Sequence, residues 1–154
     1  MRVFRLVRAA YAWPLSGKGA ALYGARWNSP GREVVYTACN RSLAMAEVLV
    51  HLPLAALPHD YAMLELEVPE TVPFAQLVPE YLPRNWNTFP HTSSTQQFGD
   101  DFLRKGEQLG LLVPSVVTRG DFNLLLNPAH TEFQQIEQIS LEPFPFDERL
   151  LWRS

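Results

Sequence analysis

The sequence predicts a β-rich α+β domain, and three patterns carry the prediction. Val3 alternates with charged positions near the start, and Leu64, Leu66 and Val68 alternate with Glu65 and Glu67. Apolar runs recur between residues 111 and 141, and one strongly apolar helical segment lies between these groups.

Taken in order, Arg2 to Val7 reads as a short strand. A loop follows with Gly17, Gly19, Gly24, Pro30 and Gly31, and it carries the cationic and aromatic cluster Ala25-Arg26-Trp27-Asn28. Loops of this kind often carry function. Val34 to Ala38 is expected as a buried strand, and Ser42 as the cap of a helix that runs to about Leu52 and stops at Pro53. From Leu43 to Leu52 this helix is apolar on every face except at Glu47 and His51, so burial is expected on all sides, with Glu47 enclosed. The half-exposed strand at 64–68 leads into an irregular stretch marked by Pro69, Pro73, Pro79, Pro83 and Pro90, suited to a lid or a binding wall. A helix from about Gln96 to Leu109 shows Phe98 and Phe102 on one face, and Leu111 to Thr118, Phe122 to Leu126 and Gln135 to Leu141 read as three more strands.

A length of 154 residues with 47% hydrophobic content suits a single domain over 1–154, without internal repeats. The net charge of −3 offers no basic field for tracking a phosphate backbone, which disfavours nucleic acid as the main substrate. A single cysteine, Cys39, excludes an internal disulfide and fits a reducing compartment. Arg2, Arg5 and Arg8 interrupt the apolar residues at the start, so neither a signal peptide nor a membrane span is expected, and the cytoplasm is the expected location.

Glu47 is the residue that most needs a reason, because an ionised carboxylate in an apolar helix costs several kcal/mol unless a cation or hydrogen-bond donors meet it. Two readings stand side by side, a structural ion pair with an arginine and a catalytic carboxylate. A strand-to-helix hairpin can bring Arg26, Tyr36 and Glu47 to one cleft, although a loop arginine is commonly solvated and a strand tyrosine commonly core. Ser115 sits among Leu111, Leu112, Val113, Val116 and Val117, where a hydroxyl commonly bonds to nearby backbone. There is no G-x-S-x-G elbow, which disfavours an acyl-enzyme serine hydrolase. The four histidines are widely separated and have no zinc-ligand spacing, so no metal is expected. Neither G-x-G-x-x-G nor the P-loop motif is present, which disfavours ordinary dehydrogenases and kinases.

The motifs together resemble the RES domain, found in toxins of RES–Xre type II toxin–antitoxin systems. They are Arg26 within Gly24-Ala25-Arg26-Trp27-Asn28, Tyr36 within Val35-Tyr36-Thr37-Ala38, Glu47 at the end of Ser42-Leu43-Ala44-Met45-Ala46-Glu47, and Ser115 within Val113-Pro114-Ser115. Phe4-Arg5, Gly99-Asp100-Asp101-Phe102 and the run from Asn123 to His130 follow the same pattern, with Phe102 and Leu124 standing where tryptophan and tyrosine are more usual.

This resemblance implies an ADP-ribosyltransferase-like split β-sheet with surrounding helices, and NAD as substrate. Glu47 is then expected to stabilise the oxocarbenium-like centre that forms as nicotinamide leaves. Arg26 is expected to clamp the diphosphate or orient the ribose, with Arg5 as a second candidate. Tyr36 is expected to stack on nicotinamide or shape its pocket, and Ser115 to bond the ribose or hold Glu47. Asn123 joins Arg5, Arg26, Tyr36 and Ser115 as an expected NAD-binding residue. The implied outcome is NAD depletion by hydrolysis or phosphorolysis, with ADP-ribosylation of a cellular protein as the alternative and a catalytically inactive binding module as a rival of another class. The implied partner is an antitoxin with a helix-turn-helix domain, which would make DNA contact the partner's work; self-association is also expected.

Overall fold

The computed structural model describes residues 1–53, 55 and 57–151, so the C-terminal end of the expected 1–154 domain, residues 152–154, lies outside the described residues. Among the described residues, seven strands and three α-helices form an α+β fold, as the alternation patterns predict. The strands are β1 (Arg2–Arg8), β2 (Val35–Ala38), β3 (Tyr61–Glu67), β4 (Ala75–Gln76), β5 (Gly110–Pro114), β6 (Phe122–Leu126) and β7 (Glu137–Pro143). The helices are α1 (Lys18–Tyr23), α2 (Arg41–Leu49) and α3 (Ser93–Lys105).

The sheet order is β4-β5-β6-β2-β1-β3-β7; β4 lies parallel to β5 and every other pair is antiparallel. Its centre is thin. β1 runs beside β3 over seven paired positions, from Arg2 opposite Glu67 to Arg8 opposite Tyr61, whereas β1 meets β2 at the single pair Phe4 and Ala38. The sheet is therefore split into a β4-β5-β6-β2 half and a β1-β3-β7 half, joined at that pair.

Register decides which side chains share a face, because directly opposed antiparallel residues point the same way. On one face Phe4, Leu6, Ala38 and Met63 pack beneath Leu43 and Ala44 of α2, together with Phe146. Tyr36, Leu111, Val113 and Leu125 continue this face under Trp27, Phe102 and Phe98. On the other face Val3, Val35, Leu64, Leu66, Leu124 and Leu126 form a core closed by Leu109 and Ile136. Full burial of these aliphatic side chains stabilises the fold by roughly 1.5–3 kcal/mol each relative to exposure.

Several expected boundaries move, each for a local reason. The glycine-rich loop contains α1, whose six residues, fewer than two turns, are too few and too exposed to leave a periodic apolar pattern. Gly24 ends it with φ 71, a left-handed conformation that glycine adopts without a Cβ penalty. The cap of α2 is Asn40, whose Oδ1 accepts from the Leu43 N–H at 2.7 Å, so Ser42 is inside the helix. Only Leu43 and Ala44 of α2 are buried, because the helix covers the sheet with one side and nothing among the described residues covers the other. The expectation of an all-round buried helix is thus corrected, and Glu47 is half-buried.

α3 begins at Ser93, before the first phenylalanine of its apolar face, and ends where Gly106 turns left-handed at φ 64. β5 stops at Pro114 because the Ser115 hydroxyl accepts from the Val117 and Thr118 N–H groups at 3.1 and 3.0 Å, turning the chain out of the strand. A 3-10 turn over Thr131–Gln135 delays β7 to Glu137, and the proline-rich stretch holds β4 and a 3-10 turn at Pro79–Tyr81. Replacing the true cap, Asn40→Ala, should lower stability by about 1 kcal/mol, read from the midpoint of urea unfolding, whereas Ser42→Ala should leave the midpoint nearly unchanged.

Candidate active site

Glu47 reaches across from α2 to the far half of the sheet. Its Oε1 accepts from Asn123 Nδ2 at 2.7 Å and from Ser115 Oγ at 2.9 Å. Neither donor is placed by chance. Asn123 stands opposite Ala38 and Val113 in register, on the face that α2 covers. The Ser115 oxygen already accepts two backbone N–H groups, so its own proton is directed to the carboxylate. No arginine forms an ion pair with Glu47 among the described residues, and two hydrogen bonds satisfy the carboxylate in place of the ion pair that one of the two readings required. Both fall on Oε1, and Oε2 has no hydrogen-bond partner among the described residues.

Arg26 lies close enough to Glu47 for the carboxylate to oppose the fall in its pKa that burial produces. Its Nη1 donates to the carbonyl oxygens of Trp86 at 2.7 Å and Thr88 at 3.0 Å, which ties the proline-rich stretch to this loop. His91 from the same stretch stands near it, its pKa lowered by burial and by the Arg26 charge.

The Arg26 loop is fixed from beneath by Tyr36. The phenol donates to Asn28 Oδ1 at 2.8 Å and accepts from the Trp27 N–H at 3.2 Å. Burial raises the Tyr36 pKa well above its ordinary value, which keeps the donor proton in place. Asn28 is fully buried, and its Nδ2 donates to the carbonyls of Ala20, Ser29 and Arg32. One asparagine thus gathers α1, the loop and the approach to β2 around a single side chain. Tyr36 therefore shapes the site through its hydroxyl, which is already engaged in holding backbone.

Arg5 stands apart from this cluster. It follows Phe4, the only residue of β1 in register with β2, and alternation turns it toward the Leu64 face. Its guanidinium is largely buried, which lowers its pKa, and it has no hydrogen-bond or ion-pair partner among the described residues. It makes no contact with Glu47, Arg26 or Tyr36 through hydrogen bonds. The structure thus gathers Arg26, Tyr36, Glu47, Ser115 and Asn123 and leaves Arg5 beside the split. Sequence reasoning undervalued Asn28, Gln96 and Asp100, which hold the loop. The spacing of Gln96 and Asp100 on one helical face was the signal available, and it needed knowledge that this face meets the loop.

The RES domain family matches residues 2–147. The chain belongs to the RES domain family. Over 152 residues this RES-domain chain is 37% identical to the protein named Toxin Res of Yersinia enterocolitica, spanning 97% of this chain and 99% of that protein. It is 40% identical over 146 residues to Toxin Res of Pseudomonas putida, covering 92% and 95% of the two chains. A Sphingobium protein named Prs ADP-ribosylating toxin is 36% identical over 152 residues, covering 97% and 94%. In shape, the RES-domain chain is similar to a chain in the crystal structure of the Mycobacterium tuberculosis MbcT–MbcA toxin–antitoxin complex. The TM-score is 0.75 at 22% identity, over 93% of this chain and 83% of that one, which establishes the likeness as one of fold. The chain thus shares the overall α+β fold of that neighbour.

The tyrosine hydroxyl is open to a direct test. Tyr36→Phe strands the Trp27 N–H and Asn28 Oδ1, so stability should drop by about 1–3 kcal/mol, seen in chemical unfolding while far-UV circular dichroism stays native.

Proposed function

We propose that this RES-domain protein is the toxin of a type II toxin–antitoxin pair and cleaves the nicotinamide–ribose bond of NAD, with water or phosphate as acceptor. The observation that carries the reading is the Glu47 carboxylate, held through Oε1 by Ser115 and Asn123, with Oε2 left over and the Arg26 guanidinium nearby.

Departure of nicotinamide builds positive charge on the ribose, and a fixed carboxylate stabilises such a centre without reorganising at the moment of reaction. Two donors on one oxygen orient the carboxylate; the other oxygen is available to a ribose hydroxyl or to the developing cation. Arg26 is assigned to the diphosphate, since a guanidinium offers parallel N–H groups to phosphate oxygens. Arg5, largely buried and without an anionic partner, is a second cation for an anionic substrate beside the split. Among the described residues no group of three or more histidine, cysteine, aspartate or glutamate side chains is placed to hold a metal, and none of the roles above requires one.

Transfer of ADP-ribose to a protein is the second reading, and the Sphingobium relative's name favours it. Both readings use the same Glu47 chemistry and differ in the acceptor. The names of the relatives and the complex in which the fold neighbour was solved support an antitoxin partner, to which the DNA-binding helix-turn-helix is assigned. No helix among the described residues is long and apolar enough to cross a membrane, in keeping with action on a soluble nucleotide in the cytoplasm.

Cellular NAD after brief induction without the antitoxin should fall rapidly with the unaltered chain and hold steady with Glu47→Gln, which keeps the shape and removes the charge. A folded Glu47→Gln variant that still empties the pool would remove Glu47 from the chemistry, and growth arrest with NAD unchanged would favour a modified protein. Arg26→Ala should weaken NAD binding by about 2 to 3 kcal/mol, the worth of charge-assisted hydrogen bonds, as measured by calorimetry on the Glu47→Gln background.

A further inference from the structure

One face of α3 grips the loop that carries Arg26. Gln96 Nε2 donates to the carbonyl oxygens of Ala25 at 3.1 Å and Asn28 at 3.2 Å. Asp100 accepts from the Ser29 N–H at 3.0 Å and from the Ser29 hydroxyl at 2.5 Å. Gly99 lies between them, where a Cβ would overlap the Trp27 carbonyl, so the helix approaches the loop as closely as backbone allows. Positions 96, 99 and 100 follow the i, i+3, i+4 spacing of one helical face.

α3 thus hydrogen-bonds Ala25, Asn28 and Ser29 and packs Gly99 against the Trp27 carbonyl, and the one residue of the segment it does not touch through these contacts is Arg26. The Arg26 side chain is instead oriented by the Trp86 and Thr88 carbonyls, which engage both N–H groups of Nη1. The Nε–Nη2 edge has no partner among the described residues. That edge carries two parallel N–H groups, the geometry that meets two oxygens of one phosphate.

From this we infer that Gln96 and Asp100 are positioning residues for Arg26: α3 and the 86–88 carbonyls together present the Nε–Nη2 edge to a phosphate group of the substrate. The inference rests on the NAD reading for the identity of the substrate, and on the loop geometry alone for the clamp. Side chains with no contact to substrate would then set its affinity, acting only through Arg26.

The test is a double-mutant cycle on the full chain, with KM and kcat for NAD and amide hydrogen exchange over residues 25–29. Gln96→Ala should raise KM about tenfold with kcat within about twofold, and exchange at the 25–29 amides should quicken. Adding Gln96→Ala to Arg26→Ala should change KM by less than about twofold, because the residue through which it acts is already gone. Asp100→Asn, which keeps an acceptor for the Ser29 N–H, should recover part of what Asp100→Ala loses. Independent, multiplying effects of Gln96→Ala and Arg26→Ala, or an unchanged KM in Gln96→Ala, would overturn the inference. If the unaltered chain neither consumes NAD nor binds ADP-ribose, the NAD reading falls separately. In that case faster exchange at 25–29 in Gln96→Ala retains the clamp, and unchanged exchange removes it.

Discussion

A carboxylate in the middle of an apolar helix has no help from its own backbone, whose N–H groups are already engaged in the helical ladder. Glu47 must therefore find donors on other elements, and it finds them on β6, the neighbour of β2, and just after β5. Asn123 on β6 and Ser115 after β5 both belong to the half that β1 joins only through the Phe4–Ala38 pair. Because β1 and β2 share a single pair, these hydrogen bonds span the weak seam of the sheet. The same two contacts satisfy a half-buried charge, hold α2 across the seam and orient the carboxylate that the proposed chemistry needs.

The other wall of the site follows the rule that buried polar atoms must be paired. The Arg26 loop closes on itself through backbone hydrogen bonds between Ala25 and Asn28, and side chains satisfy much of what that short bridge leaves over. The two N–H groups of Asn28 Nδ2 serve three carbonyls and its Oδ1 accepts once, Tyr36 donates once and accepts once, and Gln96 and Asp100 make two contacts apiece with the loop. A loop bound in this way is rigid without regular structure, which suits a segment that must offer a guanidinium in a set orientation. The absence of a Cβ at Gly99 is what lets α3 come close enough.

Much of the fold was legible because alternation and apolar runs report burial directly. β1, β2, β3 and β6 lie almost where Val3, Val35, Leu64, Leu66 and the run at 122–126 put them. The failures came where a local hydrogen bond outranked pattern. Ser42 looks like a cap, but Asn40 Oδ1 reaches the Leu43 N–H; Val116 and Val117 look like strand, but the Ser115 hydroxyl bends them away. Helix α2 looked enclosed because composition cannot say how many sides of a helix the rest of the chain will cover.

The sequence by itself determined the α+β class, the family, and the identity of Arg26, Tyr36, Glu47 and Ser115 as residues needing an explanation, since each breaks a local pattern of polarity. Tertiary structure alone decided what each does. Sheet register put Asn123 opposite Ala38 and so under α2, turned Arg5 to the other face, and gave Glu47 hydrogen bonds in place of an arginine. The packing of α3 made Gln96 and Asp100 part of the Arg26 loop across a separation of some seventy residues. The reason is that polarity is a property of a residue and is readable in order along the chain, whereas a hydrogen bond is a property of two residues and exists only once folding has set the distance between them.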